Sequence, residues 1–102
     1  MSVSPPGPYK IEKGAGAKEQ IKQIRLESRK DGKYLAFIEI MEEVIARLQD
    51  NPNEWGDPEF HAKTIDAVMR HGIIRLISFR FAVYEQAHAV VLLRVRQYDD
   101  FD

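Results

Sequence analysis

Residues 73–98, IIRLISFRFAVYEQAHAVVLLRVRQY, constrain the fold more than any other stretch of the chain. Branched and aromatic side chains dominate it, and such side chains suit a pleated, half-buried surface. The polar break Glu85-Gln86-Ala87 divides it into two strands. Successive side chains on a strand point to opposite faces. Strict alternation puts Ile77, Phe79, Phe81 and Val83 on one face of the first strand, and Ser78, Arg80, Ala82 and Tyr84 on the other. On the second strand it groups Ala89, Val91, Leu93 and Val95 against His88, Val90, Leu92, Arg94, Arg96 and Tyr98. The odd-numbered face is apolar and must be buried. The other gathers Arg80, Arg94, Arg96, Tyr84 and Tyr98, which makes it the candidate functional face.

Two strands with an apolar face need a cover, and the chain supplies it upstream. Ala15–Lys30 predicts a helix, with Ala17, Ile21, Ile24 and Ser28 at helical spacing and Lys18, Lys22, Arg25 and Arg29 on the other side. Gly32 is placed to end it in a left-handed cap. Lys33–Gln49 predicts a second helix, with an apolar stripe of Phe37, Ile38, Met41, Val44, Ile45 and Leu48. Glu39, Glu42 and Glu43 lie opposite the stripe, and Asp50, Asn51 and Pro52 stop the helix. The short Asp-Gly break between the two implies an antiparallel helical hairpin laid on the strands.

The connecting segments are less regular. Residues 1–8 carry three prolines and a glycine and are expected to form a flexible leader. Tyr9–Lys13 alternates and predicts a short first strand. Asn51–Phe60 has the prolines, glycine and acidic residues of a loop. Within it Trp55, the one tryptophan, either plugs the end of the core or offers an aromatic contact to a partner. Thr64–Met69 fits a strand with Ile65, Ala67 and Met69 on one face, or a short helix beginning near Pro58. His71 and Gly72 are expected to turn the chain into the main strand, and residues 99–102 form an acidic tail. The resulting order, β-α-α-β-β-β, is α+β, with one domain over residues 9–98.

Composition narrows the function classes. A chain of 102 residues has room for one core. No run approaches the roughly 20 apolar residues of a membrane helix. No secretion signal opens the chain, and there is no cysteine for a disulfide, a thiolate metal site or a nucleophile. The cytoplasm is the default compartment on these grounds. The net charge of −1 argues against an indiscriminate nucleic-acid coat. It is unevenly spread, however: residues 1–33 hold eight Lys or Arg and four Asp or Glu, and residues 34–69 hold two and eight. Local patches, more than net charge, steer ligands.

The order of elements carries a resemblance. A short strand, a two-helix hairpin ending in Leu48-Gln49-Asp50-Asn51-Pro52, a loop and a terminal meander resemble the RelE/ParE superfamily of small bacterial toxins. The run Phe79-Arg80-Phe81-Ala82-Val83-Tyr84 is similar to the family's third strand, and Val90-Val91-Leu92-Leu93-Arg94-Val95 to its last. The resemblance implies a RelE-like fold and a toxin neutralised by an antitoxin protein. Members that act on the ribosome cut messenger RNA there without a metal or cofactor, using Arg and Lys on the sheet and often a C-terminal Tyr or His. Carried over, the catalytic candidates are Arg80, Arg94, Arg96 and Tyr98. The residue types suit the chemistry. Attack of a ribose 2′-hydroxyl on the adjacent phosphate needs a proton removed, a proton returned and the developing charge stabilised. Fixed cations, Arg above all, supply the last, and His or Tyr can move protons.

The chain also departs from the family pattern. Ser78-Phe79-Arg80 stands where the family has Gly-x-Tyr-Arg, and the chain is not strongly basic. Of His61, His71 and His88, only His88 shares the parity of the arginines. Asp57, Glu59 and His61 alternate as metal ligands do, with no second half-site in the sequence. Two readings follow: a RelE-like toxin, catalytic at the ribosome or not, and a non-catalytic interaction domain of the same fold whose arginines only solvate the sheet.

Overall fold

The cap at the end of the first helix shows how local the helical signals are. In the computed structural model, which describes residues 7–98, α1 spans Ala15–Lys30. Gly32 sits at φ +71°, and the Lys33 amide donates to the Ser28 carbonyl at 2.7 Å. This is the wrapped, left-handed ending that a glycine permits. α2 spans Tyr34–Asp50 and buries Phe37, Ile40, Val44 and Leu48. Ile40 was not part of the expected stripe, and Ile38 and Met41 are only partly buried.

Five strands make one sheet: β1 (Lys10–Lys13), β2 (Asp57–Ala62), β3 (Ala67–Ile74), β4 (Ile77–Tyr84) and β5 (Ala89–Gln97), in the order β1-β5-β4-β3-β2. β1 is parallel to β5, and every other pair is antiparallel. The two helices and the sheet enclose the core, in which Phe37, Ile40, Val44 and Leu48 meet Phe79, Phe81, Val90, Leu92 and Val95. The architecture is the expected α+β, with one more strand than the sequence order showed. Residues 1–6 of the expected leader and residues 99–102 of the expected tail lie outside the described residues.

The extra strand is β2, in the segment expected to be loop, and it pairs with β3 as a hairpin. Thr64–Met69 is therefore neither helix nor one strand: a turn occupies residues 63–66 and β3 begins at Ala67. His71 and Gly72 are not a turn but lie inside β3. The turn into β4 is Arg75-Leu76, with Ile74 paired directly to Ile77 and φ of +48° and +69°. Such two-residue turns usually carry Asn or Gly. Here Arg75 reaches Glu39 of α2 at 3.5 Å, a contact from outside the hairpin.

Gly72 has a different purpose. A Cβ there would lie 2.6 Å from the Trp55 ring, so the missing side chain lets the indole cross the strand. Trp55 stacks on Phe81 at 5.4 Å and is partly buried, the first of its two expected roles. Arg70, 9% exposed, holds the preceding loop by donating to the carbonyls of Trp55 at 3.1 Å and Gly56 at 2.9 Å.

Candidate nucleic-acid interface

The face of the sheet turned away from the helices depends on two bulges. On β5 the register shifts, so that Phe81 pairs with Leu92 while Arg80 pairs with Arg94. Leu93 is the extra residue, and a bulge of this kind moves every later side chain to the opposite face. Strict alternation therefore fails on β5. Val90 and Leu92 are buried in the core, not set beside the arginines, and Val95 joins them from the other parity. Beyond Leu92, β1 no longer borders β5. There Gln20 of α1 accepts the Val95 amide at 2.6 Å, so a helix side chain satisfies backbone that has no strand beside it.

The second bulge is on β2, between Pro58 and Phe60. It frees Glu59, whose Oε1 accepts from Arg80 Nε at 2.9 Å across the intervening strand. Pairing across the sheet then sets Asp57, His71, Arg80 and Arg94 in one rung. The next rung holds Ile73, Ser78 and Arg96. Both bulges thus border the rung of Arg80, where such irregularities serve to re-aim side chains.

A cleft of about 190 Å³ opens over these rungs, lined by Glu59, His71, Ser78, Arg80, Arg94, Arg96 and Tyr98. All four candidates from the sequence, Arg80, Arg94, Arg96 and Tyr98, border it. Tyr98 is held at the end of β5 by its amide, which donates to the Leu76 carbonyl at 2.9 Å, and the Arg96 guanidinium lies 5.2 Å from its ring. Among the described residues, Arg94 has no carboxylate partner. Three guanidinium groups and one carboxylate around a shallow opening leave an excess of positive charge, with the planar donors that can bind a phosphate or carboxylate.

Sequence reasoning missed Glu59 and His71. His71 follows from β3 being a full strand, and it stands in register with Arg80. Glu59 follows only from the bulge. His88, expected on the arginine face, is elsewhere, and Tyr84 pairs with Ala89 two rungs away from the cleft. The alternating trio Asp57, Glu59 and His61 does not converge: Glu59 goes to Arg80, and His61 Nε2 meets Asp66 Oδ1 at 2.9 Å.

A second polar cluster lies at the β4–β5 turn. Tyr9 donates its hydroxyl to Glu85 Oε1, and Asn53 donates to Glu85 Oε2. The His88 ring stacks on Tyr9 at 3.8 Å, and its Nε2 lies 2.6 Å from the Gly7 carbonyl. Burial, with the hydrogen bond to Glu85, pushes the Tyr9 hydroxyl up to about 12. The hydrogen bonds from Tyr9 and Asn53 hold the Glu85 carboxyl below its usual range. A third feature is an apolar groove of about 450 Å³ on the helical hairpin, where Ile21, Phe37, Ile38, Met41 and Ile45 are flanked by Lys13, Arg25 and Glu42. No helix among the described residues is long and apolar enough to cross a membrane.

No family model and no curated protein matches the chain in sequence. Among solved structures, a chain of the toxin–antitoxin complex RelBE2 from Mycobacterium tuberculosis is similar in fold. The match has a TM-score of 0.69 at 14% identity and covers 96% of this chain and 100% of that one. The fold is RelE-like.

Proposed function

We propose that this chain is the toxin of a toxin–antitoxin pair and acts as a metal-independent, ribosome-associated messenger-RNA endonuclease. The observation that carries the reading is the cleft in which Arg80, Arg94 and Arg96 face one another beside Glu59, His71 and Tyr98. The similarity in fold to a chain of a toxin–antitoxin complex supports it. In the proposed reaction Glu59 takes the proton of a ribose 2′-hydroxyl, and the 2′-oxygen bonds to the adjacent phosphorus. The bond to the 5′-oxygen breaks, and Tyr98 or His71 returns a proton to that oxygen. The products are a 2′,3′-cyclic phosphate and a free 5′-hydroxyl. Arg80 and Arg94 stabilise the charge that builds on the phosphoryl oxygens, where preorganised cations have most effect. The antitoxin covers the groove on the helical hairpin, whose apolar floor, with Lys13, Arg25 and Glu42 at its rim, fits an amphipathic segment.

A second reading has its own observation. Arg80 is already held by Glu59, as a structural ion pair on the solvated side of the sheet would hold it. On that reading the chain is a non-catalytic interaction domain with the hairpin groove as its working surface. Induced expression in a bacterial host separates the two, with growth and RNA 5′ ends followed together. Growth arrest with new cuts inside reading frames, absent for Arg80→Ala and Arg94→Ala, is the expected result. Normal growth with abundant folded protein sinks the nuclease and favours the interaction domain.

A further inference from the structure

The bulge that aims Glu59 at Arg80 has a second effect. Pro58 pairs with Arg70, on the buried side of β3, and regular alternation would return Phe60 to that side. The extra residue turns Phe60 out instead. It pairs with Met69, which shares its face with His71 and the cleft, and it is 52% exposed. Its rung continues through Met69, Ala82 and Val91, an apolar strip one rung from His71, Arg80 and Arg94. Neighbouring rungs on one face lie about 7 Å apart. A large aromatic ring is thus half exposed on the edge strand β2, beside Glu59 and one rung from the row that runs through Asp57 and His71 to Arg80 and Arg94. A single exposed apolar side chain is ordinary on a protein surface; what sets this one apart is its place one rung from Arg80 and Arg94.

A flat apolar platform next to a cationic track is how proteins hold single-stranded nucleic acid: bases stack on the ring while cations follow the phosphates. At the other end of the cleft Tyr98, 54% exposed, offers a second ring beside Arg96. From this placement, one rung from Arg80 and from Arg94, which has no carboxylate partner among the described residues, we infer that Phe60 stacks on the base of a single-stranded RNA neighbouring the phosphate held by Arg80 and Arg94. The inference rests on the RNA-cleaving reading and adds to it a residue that selects for unpaired, base-bearing substrate. Phe60 touches a base and not the reacting atoms, so it positions and selects.

The test uses the full chain and a short 2′-O-methyl RNA that cannot be cleaved, with binding followed by fluorescence anisotropy. Phe60→Leu keeps the apolar bulk and removes the platform. Its affinity falls about tenfold, and Phe60→Tyr retains most of it. A set of strands lacking one base at a time identifies the stacked position. The strand abasic there loses the same factor against the wild type and nothing further against Phe60→Leu. If Phe60→Leu binds as well as the wild type while Arg94→Ala does not, the inference falls and the cationic cleft stands. Equal weakening toward every abasic strand overturns it too, because the ring then acts on the fold. A folded wild type that binds the RNA neither free nor on the ribosome removes both the inference and the reading beneath it.

Discussion

The β4–β5 turn and the cleft each gather tyrosine, histidine and charged side chains on one sheet, yet they are built in opposite ways. At the turn, Tyr9, Asn53, Glu85 and His88 satisfy one another. The carboxylate accepts two hydrogen bonds, the phenol donates one, and the ring stack joins β1 to β5. At the cleft three guanidinium groups stand with one carboxylate, which pairs with Arg80 alone, and Arg94 has no carboxylate partner among the described residues. Polar groups that satisfy each other tie segments of a fold together, whereas a local surplus of one charge can steer a ligand of the opposite sign. The turn cluster therefore ties residues 7–9 to the β4–β5 turn, and the cleft is left with excess positive charge, the basis of the proposed phosphate site.

Substitutions can break that comparison. The largest effect is expected in the cleft. Arg94→Ala should lower RNA cleavage by about 10²–10³-fold, the usual cost of one preorganised charge-stabilising donor. Its melting temperature should stay unchanged or rise, since it removes a like-charge neighbour of Arg80. Glu59→Gln should lower cleavage by a comparable factor while binding the uncleavable RNA more tightly, because it removes the negative charge. Tighter binding with full cleavage would show that Glu59 only restrains Arg80.

The turn should respond the other way. Tyr9→Phe should cost about 1 kcal/mol of stability, one net hydrogen bond, and leave cleavage within about twofold. A loss of cleavage equal to that of Arg94→Ala would erase the distinction between the two clusters.

The smallest effect is in the pH profile. The Tyr9 hydroxyl is raised to about 12 in the folded chain, above the ordinary 10 of the unfolded one. Its contribution is thus complete below pH 10 and is lost as pH rises toward 12. Glu85 is lowered, so its contribution is present above the ordinary carboxylate range and disappears as pH falls through its folded value. Thermal melts across the alkaline range should show the first decline in the wild type and a smaller one in Tyr9→Phe.

The helices were legible because their signals are local. The spacing of Ala17, Ile24 and Ser28, and Gly32 after them, fixes α1 at its observed bounds, and α2 differs by one residue at each end. The sheet was legible only in part. Arg80, Arg94, Arg96 and Tyr98 do share a face, but not by the strict alternation that grouped them. Regular alternation would leave Val90 and Leu92 beside the arginines, and the bulge at Leu93 takes them into the core. The same kind of irregularity hid Glu59 and the outward turn of Phe60. His71 was hidden by Gly72, a turn signal in sequence that in the fold makes room for Trp55.

By itself, then, the sequence determined the two helices, their order before an antiparallel meander, the apolar side of β4 and the residue types of a cationic face. Each of these depends on spacing within a few residues, where helical and strand periods act directly. Tertiary structure alone decided which side chains meet in the cleft. Register and bulges come from contacts between distant segments, such as Gln20 with Val95 and Trp55 over Gly72. A shift of one residue in that register exchanges the two faces of a strand.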